Sequence, residues 1–468
     1  CGGWAVFLFK ATGTTEIYTL PLHDALPIWT GFDALLQETE ATDPQWLTDL
    51  RREAWSRFNK LGFPTARRGN EKWKYTSVRP LAAANFDSPL VINPPENINT
   101  ADLRRVAPWN DAWTNLVFLD GHFAGYLSNP QNGAGQIMVT NLADAIASGN
   151  PDVQRQLAKH ANTDDDGFTA LNTAFLRDGA FINVPAGHIA ATPVHLIFAT
   201  TGQFEHAASY PRTLLLAGAN SRVTVLESYV SLAQAPYFTN AVTEIVLEDG
   251  AQVEHYRLLL ESADAFHVGT SRVHQSKDST ISSASFAKGA AMARQDVQVI
   301  LDAPGASCSL NGLYMTSGEQ HIDNLINIDH AKPYTKSRLF YKGMLDGKSK
   351  AVFGGTVLVR KDAQKTDAQQ TDKNLLLSRQ AEVDSKPSLL IYADDVQCAH
   401  GATAGHLDKD TLFYMQSRGL DRESASRILI HAFASQIIDT VELEPLRDYL
   451  DDLFLAAIPT ASLEFGSR

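Results

Sequence analysis

Between about residues 168 and 403, short runs rich in Val, Ile, Thr and Leu alternate with polar residues at period two and are punctuated by glycine. That pattern predicts β-strands with one buried face. Three stretches look alike: 216–226, 247–255 and 301–310. Each has a Leu, a turn with Gly beside Ala, and an alternating strand. Their turn glycines, Gly218, Gly250 and Gly305, lie 32 and 55 residues apart, so the repeat is irregular. Recurrent turns at irregular spacing point to a stacked β-solenoid, in which each coil buries its inner face on its neighbours. A β-sandwich satisfies the pattern equally.

Helical periodicity flanks this region. Asp43 and Pro44 read as the N-cap and first residue of a helix. Trp46, Leu47, Leu50, Ala54, Trp55 and Phe58 form its apolar stripe, and Gly62 and Pro64 end it. Residues 116–119 read as a short strand turning at Asp120 and Gly121, and 93–99 as a loop crowded with Pro and Asn. After Gly405, Asp410 is placed to cap a helix through Leu412, Phe413 and Met415 that ends at Gly419. Asp421 caps a second, with Ala425, Ile428, Leu429, Ala432, Phe433, Ile437 and Val441 on its apolar face. This helix pair is expected at least to cap the open end of the solenoid.

The division that follows is 1–28, an extension; 29–162, mixed and helical; 163–405, the β-core; 406–455, helical; and 456–468, a tail. Residues 15–28 read like translated adapter DNA, so 1–28 are expected to be non-native or disordered and to pack poorly.

Composition narrows the function classes. The chain has 468 residues and a formal net charge of −13, against the basic face that nucleic acid or an anionic membrane requires. Three cysteines, Cys1, Cys308 and Cys398, make no disulfide framework and fit a reducing cytoplasm. No apolar run reaches the roughly 18–20 residues of a spanning helix. No Walker A motif, Gly-x-Ser-x-Gly elbow, His-Glu-x-x-His or Cys-x-x-Cys occurs. A P-loop nucleotide site and a permanent all-Cys cluster within one chain are therefore not expected. Asp394 and Asp395, read as neighbours in a strand, would point to opposite faces and could not flank one glycosidic bond.

The chemistry concentrates at Cys398-Ala399-His400-Gly401-Ala402-Thr403. A two-residue spacing in a strand puts thiol and imidazole on one face. Together they suit iron, zinc or copper, but two ligands are half a site, with the other half on a partner. The alternative is a packed Cys and a hydrogen-bonded His closing a strand. His321 with Asp323, and Asp329 with His330, form a second cluster, read chiefly as hydrogen-bonding partners. Cys308 reads as a small buried hydrophobe. Residues 361–373, with Asp362, Asp367 and Asp372, read as a solvated turn.

The segment 381–403, Ser417-Arg418-Gly419-Leu420 leading into the helix at 425–433, and Glu71-Lys72-Trp73-Lys74-Tyr75-Thr76 together resemble the SufB/SufD family of SUF iron–sulfur cluster assembly scaffolds. The resemblance spans about residues 30–450. The Cys-x-His-Gly-Ala-Thr sequence is similar to the SufD branch, where SufB carries a Glu-His-Glu-Ala-Thr type. It implies a right-handed parallel β-helix core with an N-terminal α/β region and a C-terminal helical domain. It implies a scaffold subunit, not itself an enzyme, paired with SufB through β-helix edges. The same resemblance implies docking of the SufC ATPase on residues 408–445; Leu412, Arg418, Arg427 and Phe433 are the expected contacts. A transient Fe–S cluster would form at the SufB–SufD interface with His400 as this chain's ligand and Cys398 as a weaker candidate, the sulfur arriving through SufB. A reduced flavin in the complex is left open, as is a homodimer of the isolated chain. Two other readings remain: a β-helix carbohydrate-active or metal-dependent enzyme, and a metal-free homodimeric scaffold.

Overall fold

The computed structural model describes residues 26–459 apart from 40, 67–69, 85, 87–97, 133–136 and 205. The expectations for 1–25, for most of the loop at 93–99 and for the end of the tail lie outside the described residues.

The core is a two-sided parallel β-solenoid. Strands alternate along the chain between a ten-stranded and an eleven-stranded sheet, and each pairs in parallel with the strand one coil away. In the ten-stranded sheet Val223, Val253, Ile281, Cys308, Ser337, Ala368 and Cys398 form one register column. Its members lie 27–31 residues apart, one coil. The sandwich is thereby excluded. Inward residues of both sheets make a continuous core, with Val253, Ile281, Cys308, Leu310, Ile326, Ile328, Phe353 and Val357 all buried in it.

The irregular glycine spacing has a physical cause. One corner of each coil needs a residue with positive φ. These corners are Asn220, Gly250, Asp278, Gly305, Tyr334 and Lys365, with φ between 54° and 80°. Their spacing matches the coils. Gly218 is not the corner residue, and between Gly250 and Gly305 the corner is filled by Asp278. Asn and Asp tolerate the left-handed region through local hydrogen bonding, so glycine is not required at every turn. Corner amides bond to the next coil, Gly250 N–H to Lys277 O and Lys365 N–H to Asp395 O.

The N-terminal region adds to the solenoid as well as covering it. Thr114–Leu119 pairs in parallel with Val194–Thr200 and so belongs to the ten-stranded sheet. The helix Gln45–Leu61 forms as expected, although Pro44 is its N-cap and Asp43 instead pairs with the buried Arg51. It packs with Gly167–Ala174 through Phe58, Phe168 and neighbouring aromatic rings.

The C-terminal region holds three helices, Lys409–Ser417, Arg422–Ile438 and Glu444–Ala457, rather than two. Asp408, not Asp410, caps the first; Asp421 caps the second as expected. They do not close the end of the solenoid. They lie along its flank, over the outward apolar residues Leu226, Leu258, Phe286, Leu313 and Met344 of the ten-stranded sheet. The helix Arg422–Ile438 buries Ala425, Ser426, Ile430, Ala434, Ile437 and Ile438. This face is rotated from the expected stripe, because it must meet both the sheet and Leu446, Leu450 and Phe454 of the last helix. Ile428 and Ala432 are left exposed. No helix of the described residues is long and apolar enough to cross a membrane.

Candidate functional site

The solenoid ends in two strands, Glu382–Ile391 in one sheet and Gln397–Gly405 in the other. Each is the terminal strand of its sheet, bonded on one side only among the described residues. Their burial differs sharply from that of the strands before them. From Gln397 to Gly405 only Cys398 is even half-buried. Among the described residues no further coil follows to cover this one.

Cys398 and His400 sit on this uncovered inner face, on the same side as their spacing predicts. Cys398 ends the column that contains Cys308 and Ala368, and its side chain packs against the core. His400 ends the column Val225, His255, Ser283, Leu310, Leu339, Gln370. His400 itself is exposed. Partial burial pushes the Cys398 thiol up from its ordinary value, so this sulfur would need a metal or cationic partner to ionise readily. Cys308, deep in the core, is pushed up to about 12 by desolvation and is an inert packing residue. Among the described residues no three His, Cys, Asp or Glu side chains are placed to hold a metal ion together. Cys398 and His400 by themselves offer only part of a metal site at the open end.

Beneath that end the interior turns polar. Residues 367–376 form a strand, correcting the expected solvated turn; only 361–366 turn. Its inward residues are Ala368, Gln370, Asp372 and Asn374, all buried. Tyr314 Oη donates to Asn374 Oδ1 at 2.5 Å, Asn374 Nδ2 donates to Asp372 Oδ2 at 2.8 Å, and Ser385 Oγ donates to the same oxygen at 2.7 Å. Burial pushes the Asp372 carboxyl up to about 6. Sequence reading missed this floor because a polar inward face lacks the apolar alternation that marks a strand.

The other expected cluster is structural. Thr76 Oγ1 lies 3.0 Å from His321 Nε2 and donates to Asp323, which also pairs with Arg294. The Arg294 guanidinium lies 3.9 Å from the centroid of the Trp73 ring. These contacts clamp the Glu71-to-Thr76 segment onto the sheet. Asp329 pairs with Arg360 at 2.6 Å, and His330 is held between Thr335 Oγ1 at 2.7 Å and Ser337 Oγ at 2.9 Å. Asp394 and Asp395 lie in the turn before the last strand, not in a strand, and Asp395 is ion-paired to Lys365.

On the helical flank the four expected contact residues are placed unequally. Leu412 is buried, and Phe433 is half-buried with Lys342 Nζ 3.9 Å from its ring centroid. Arg427 is half-buried and donates to Ile458 O at 3.3 Å, whereas Arg418 is exposed. On the first two helices and the turn between them the large apolar side chains that face solvent are Phe413, Tyr414, Leu420 and Ile428.

Comparison with known proteins places these features in a family. A family model described as the SufBD core domain of SUF-system FeS cluster assembly matches residues 198–433. One for the SufBD protein N-terminal region matches residues 30–196. An iron–sulfur cluster assembly SufBD family protein of Synechocystis sp. is 32% identical over 424 residues, 87% of this chain and 90% of that protein. The iron–sulfur cluster assembly protein SufD of Escherichia coli is 31% identical over 396 residues, covering 83% and 88%. SufD of Bacillus subtilis is 24% identical over 417 residues, covering 87% and 93%.

Proposed function

This chain belongs to the SufBD family of the SUF system for iron–sulfur cluster assembly, and on that premise we propose that it is a scaffold subunit that builds the cluster at the open end of its solenoid. SufB stacks its own terminal coil there. His400 is this chain's ligand to the nascent cluster, which is cargo, and SufB supplies a thiolate and the sulfur. Cys398 packs beside it as a secondary thiol.

The observation that carries this reading is the unprotected terminal strand. Soluble proteins guard sheet edges with Lys, Pro, inward charge or a covering element. Gln397–Gly405 has none of these: it contains no Lys, Arg, Pro, Asp or Glu, and its inner face is Cys, His and two alanines. An edge so bare calls for a partner strand. Mixed imidazole and thiolate ligands across a subunit seam also suit a product that must leave, because a seam can open where four thiolates of one chain would not.

Phe413, Tyr414, Leu420 and Ile428 make up the docking face for SufC, whose ATP hydrolysis supplies the movement. Leu412 and Phe433 support that face from beneath. Arg418 flanks it, its guanidinium 5.3 Å from the Tyr414 ring centroid.

Co-expression with SufB and SufC, followed by anaerobic reconstitution, tests the reading by visible absorption. His400→Ala is expected to leave the complex assembled and to cut cluster yield several-fold. Unchanged yield would reduce His400 to a packing residue and this chain to a holder of its partners.

A further inference from the structure

Two buried oxygen atoms just inside the open end have no hydrogen-bond partner: Gln370 Oε1 and Asp372 Oδ1. They belong to residues two apart on one strand, so both face inward, and both side chains are buried, Gln370 at 2% exposure and Asp372 at 0%. The Gln370 amide is oriented by its own Nε2, which donates to Gly355 O at 3.2 Å and leaves the carbonyl oxygen free. The opposite sheet makes room for it: a Cβ on Gly355 would lie 2.2 Å from Gln370 Nε2. Asp372 is fixed through its other oxygen by Ser385 and Asn374. An amide and a carboxylate are thus held in place with one acceptor each left over, in an interior where orphaned acceptors are disfavoured.

The terminal coil sets an imidazole above the first of them. Gln370 is the register partner of His400, and Asp372 that of Ala402. Parallel partners in adjacent strands stack at about 4.8 Å, so His400 lies over Gln370. The cover over Asp372 is a methyl group. Carboxylate, amide oxygen and imidazole together form a donor set for a divalent first-row cation.

We propose that Asp372, Gln370 and His400 form an entry site for a divalent cation, ferrous iron, one coil inside the solenoid end. The inference rests on the reading that the cluster is built at this end, and adds where its metal first lodges. Ferrous iron is held by this chain alone before the partner's thiolate and sulfide arrive. The donors lie wholly within one chain, so no partner is needed to detect the site.

The test is anaerobic titration of the full-length chain with cobalt(II), followed by its visible d–d bands and by equilibrium dialysis. Wild type is expected to bind one ion, Asp372→Asn at least tenfold more weakly, and Gln370→Leu several-fold more weakly. Asparagine keeps the shape and still accepts from Ser385. If Asp372 serves only as a hydrogen-bonding group, binding in Asp372→Asn stays within twofold of wild type and the proposal falls. It falls equally if wild type binds no cobalt. Should Asp372→Asn not fold, Gln370→Leu decides, with binding within twofold of wild type overturning the site. The assembly reading fails separately: unchanged cluster yield in His400→Ala removes it, while the cobalt titration still decides whether the cation site exists.

Discussion

At residue scale, the interior of this solenoid is defined as much by its buried polar groups as by its aliphatic ones. His330 is fully buried, with both ring nitrogens engaged by the hydroxyls of Thr335 and Ser337. Desolvation holds its pKa down at about 4, although Asp367 pulls the other way. The unfolded chain takes up this proton near pH 6.5, whereas the folded chain refuses it until about pH 4. The contribution is therefore complete above pH 6.5 and is lost as pH falls through that window, by about 3 kcal/mol. His330→Gln keeps polar contacts but cannot titrate. Its urea midpoint at pH 7.5 is expected to lie below wild type, yet to fall less on acidification to pH 4.5. An equal fall in both proteins would show that the ring is not desolvated. The sequence spacing placed Cys398 and His400 on one face of a strand. It could not reveal Asp372 and Gln370 on the strand beneath, because a strand that turns polar residues inward carries no apolar period. Only the register that sets Gln370 under His400 brings the two groups together.

At the scale of elements, caps and stops were readable where a single residue does the work. Asp421 accepts from Ser424 N–H at 2.8 Å, and Gly419 ends the preceding helix with φ of 92°. Helix faces were less readable, because Arg422–Ile438 is apolar on more than one side. Ile430, at 0% exposure, faces the sheet, and Ile428, at 48%, faces solvent. Period alone does not choose between them; the outward apolar sheet residues Phe286, Leu313 and Met344 do. The two isoleucines therefore separate stability from docking. Ile430→Ala is expected to destabilise the fold by about 2–4 kcal/mol through lost burial and the cavity left behind. Ile428→Ala should fall within about 0.5 kcal/mol of wild type and yet weaken co-purification with SufC. Thermal melts and pull-downs on both variants check this. Full SufC recovery with Ile428→Ala would move the docking face elsewhere on the flank.

At the scale of the whole molecule, one asymmetry organises everything else: coils stack in register from Val223 to Cys398 and then stop, with nothing over the last one among the described residues. The β-solenoid was legible from recurring turns, although its period was hidden by Asn220, Asp278, Tyr334 and Lys365 standing where glycine was sought. The open end was not legible, because helices following a solenoid in sequence say nothing of whether they cover its end or its side. If that end is a seam, burying a charge there must break it. Ala402 lies on the inward face of the terminal strand and is exposed in the single chain. An arginine at this position can reach solvent in the free subunit, so Ala402→Arg should leave the melting temperature and far-ultraviolet dichroism near wild type. Once a second coil stacks on it, the same guanidinium becomes a desolvated cation, which the Asp372 carboxylate, already bonded to Ser385 and Asn374, does not repay, at a cost of several kcal/mol. Association with SufB is then expected to drop below detection in size-exclusion chromatography with light scattering, as is any self-association of the isolated chain. Ala399→Arg, three residues away on the outward face, keeps its charge in water and should assemble. Equal assembly of both variants would mean that the last coil is not the seam, and that the bare edge of Gln397–Gly405 faces solvent in the working complex.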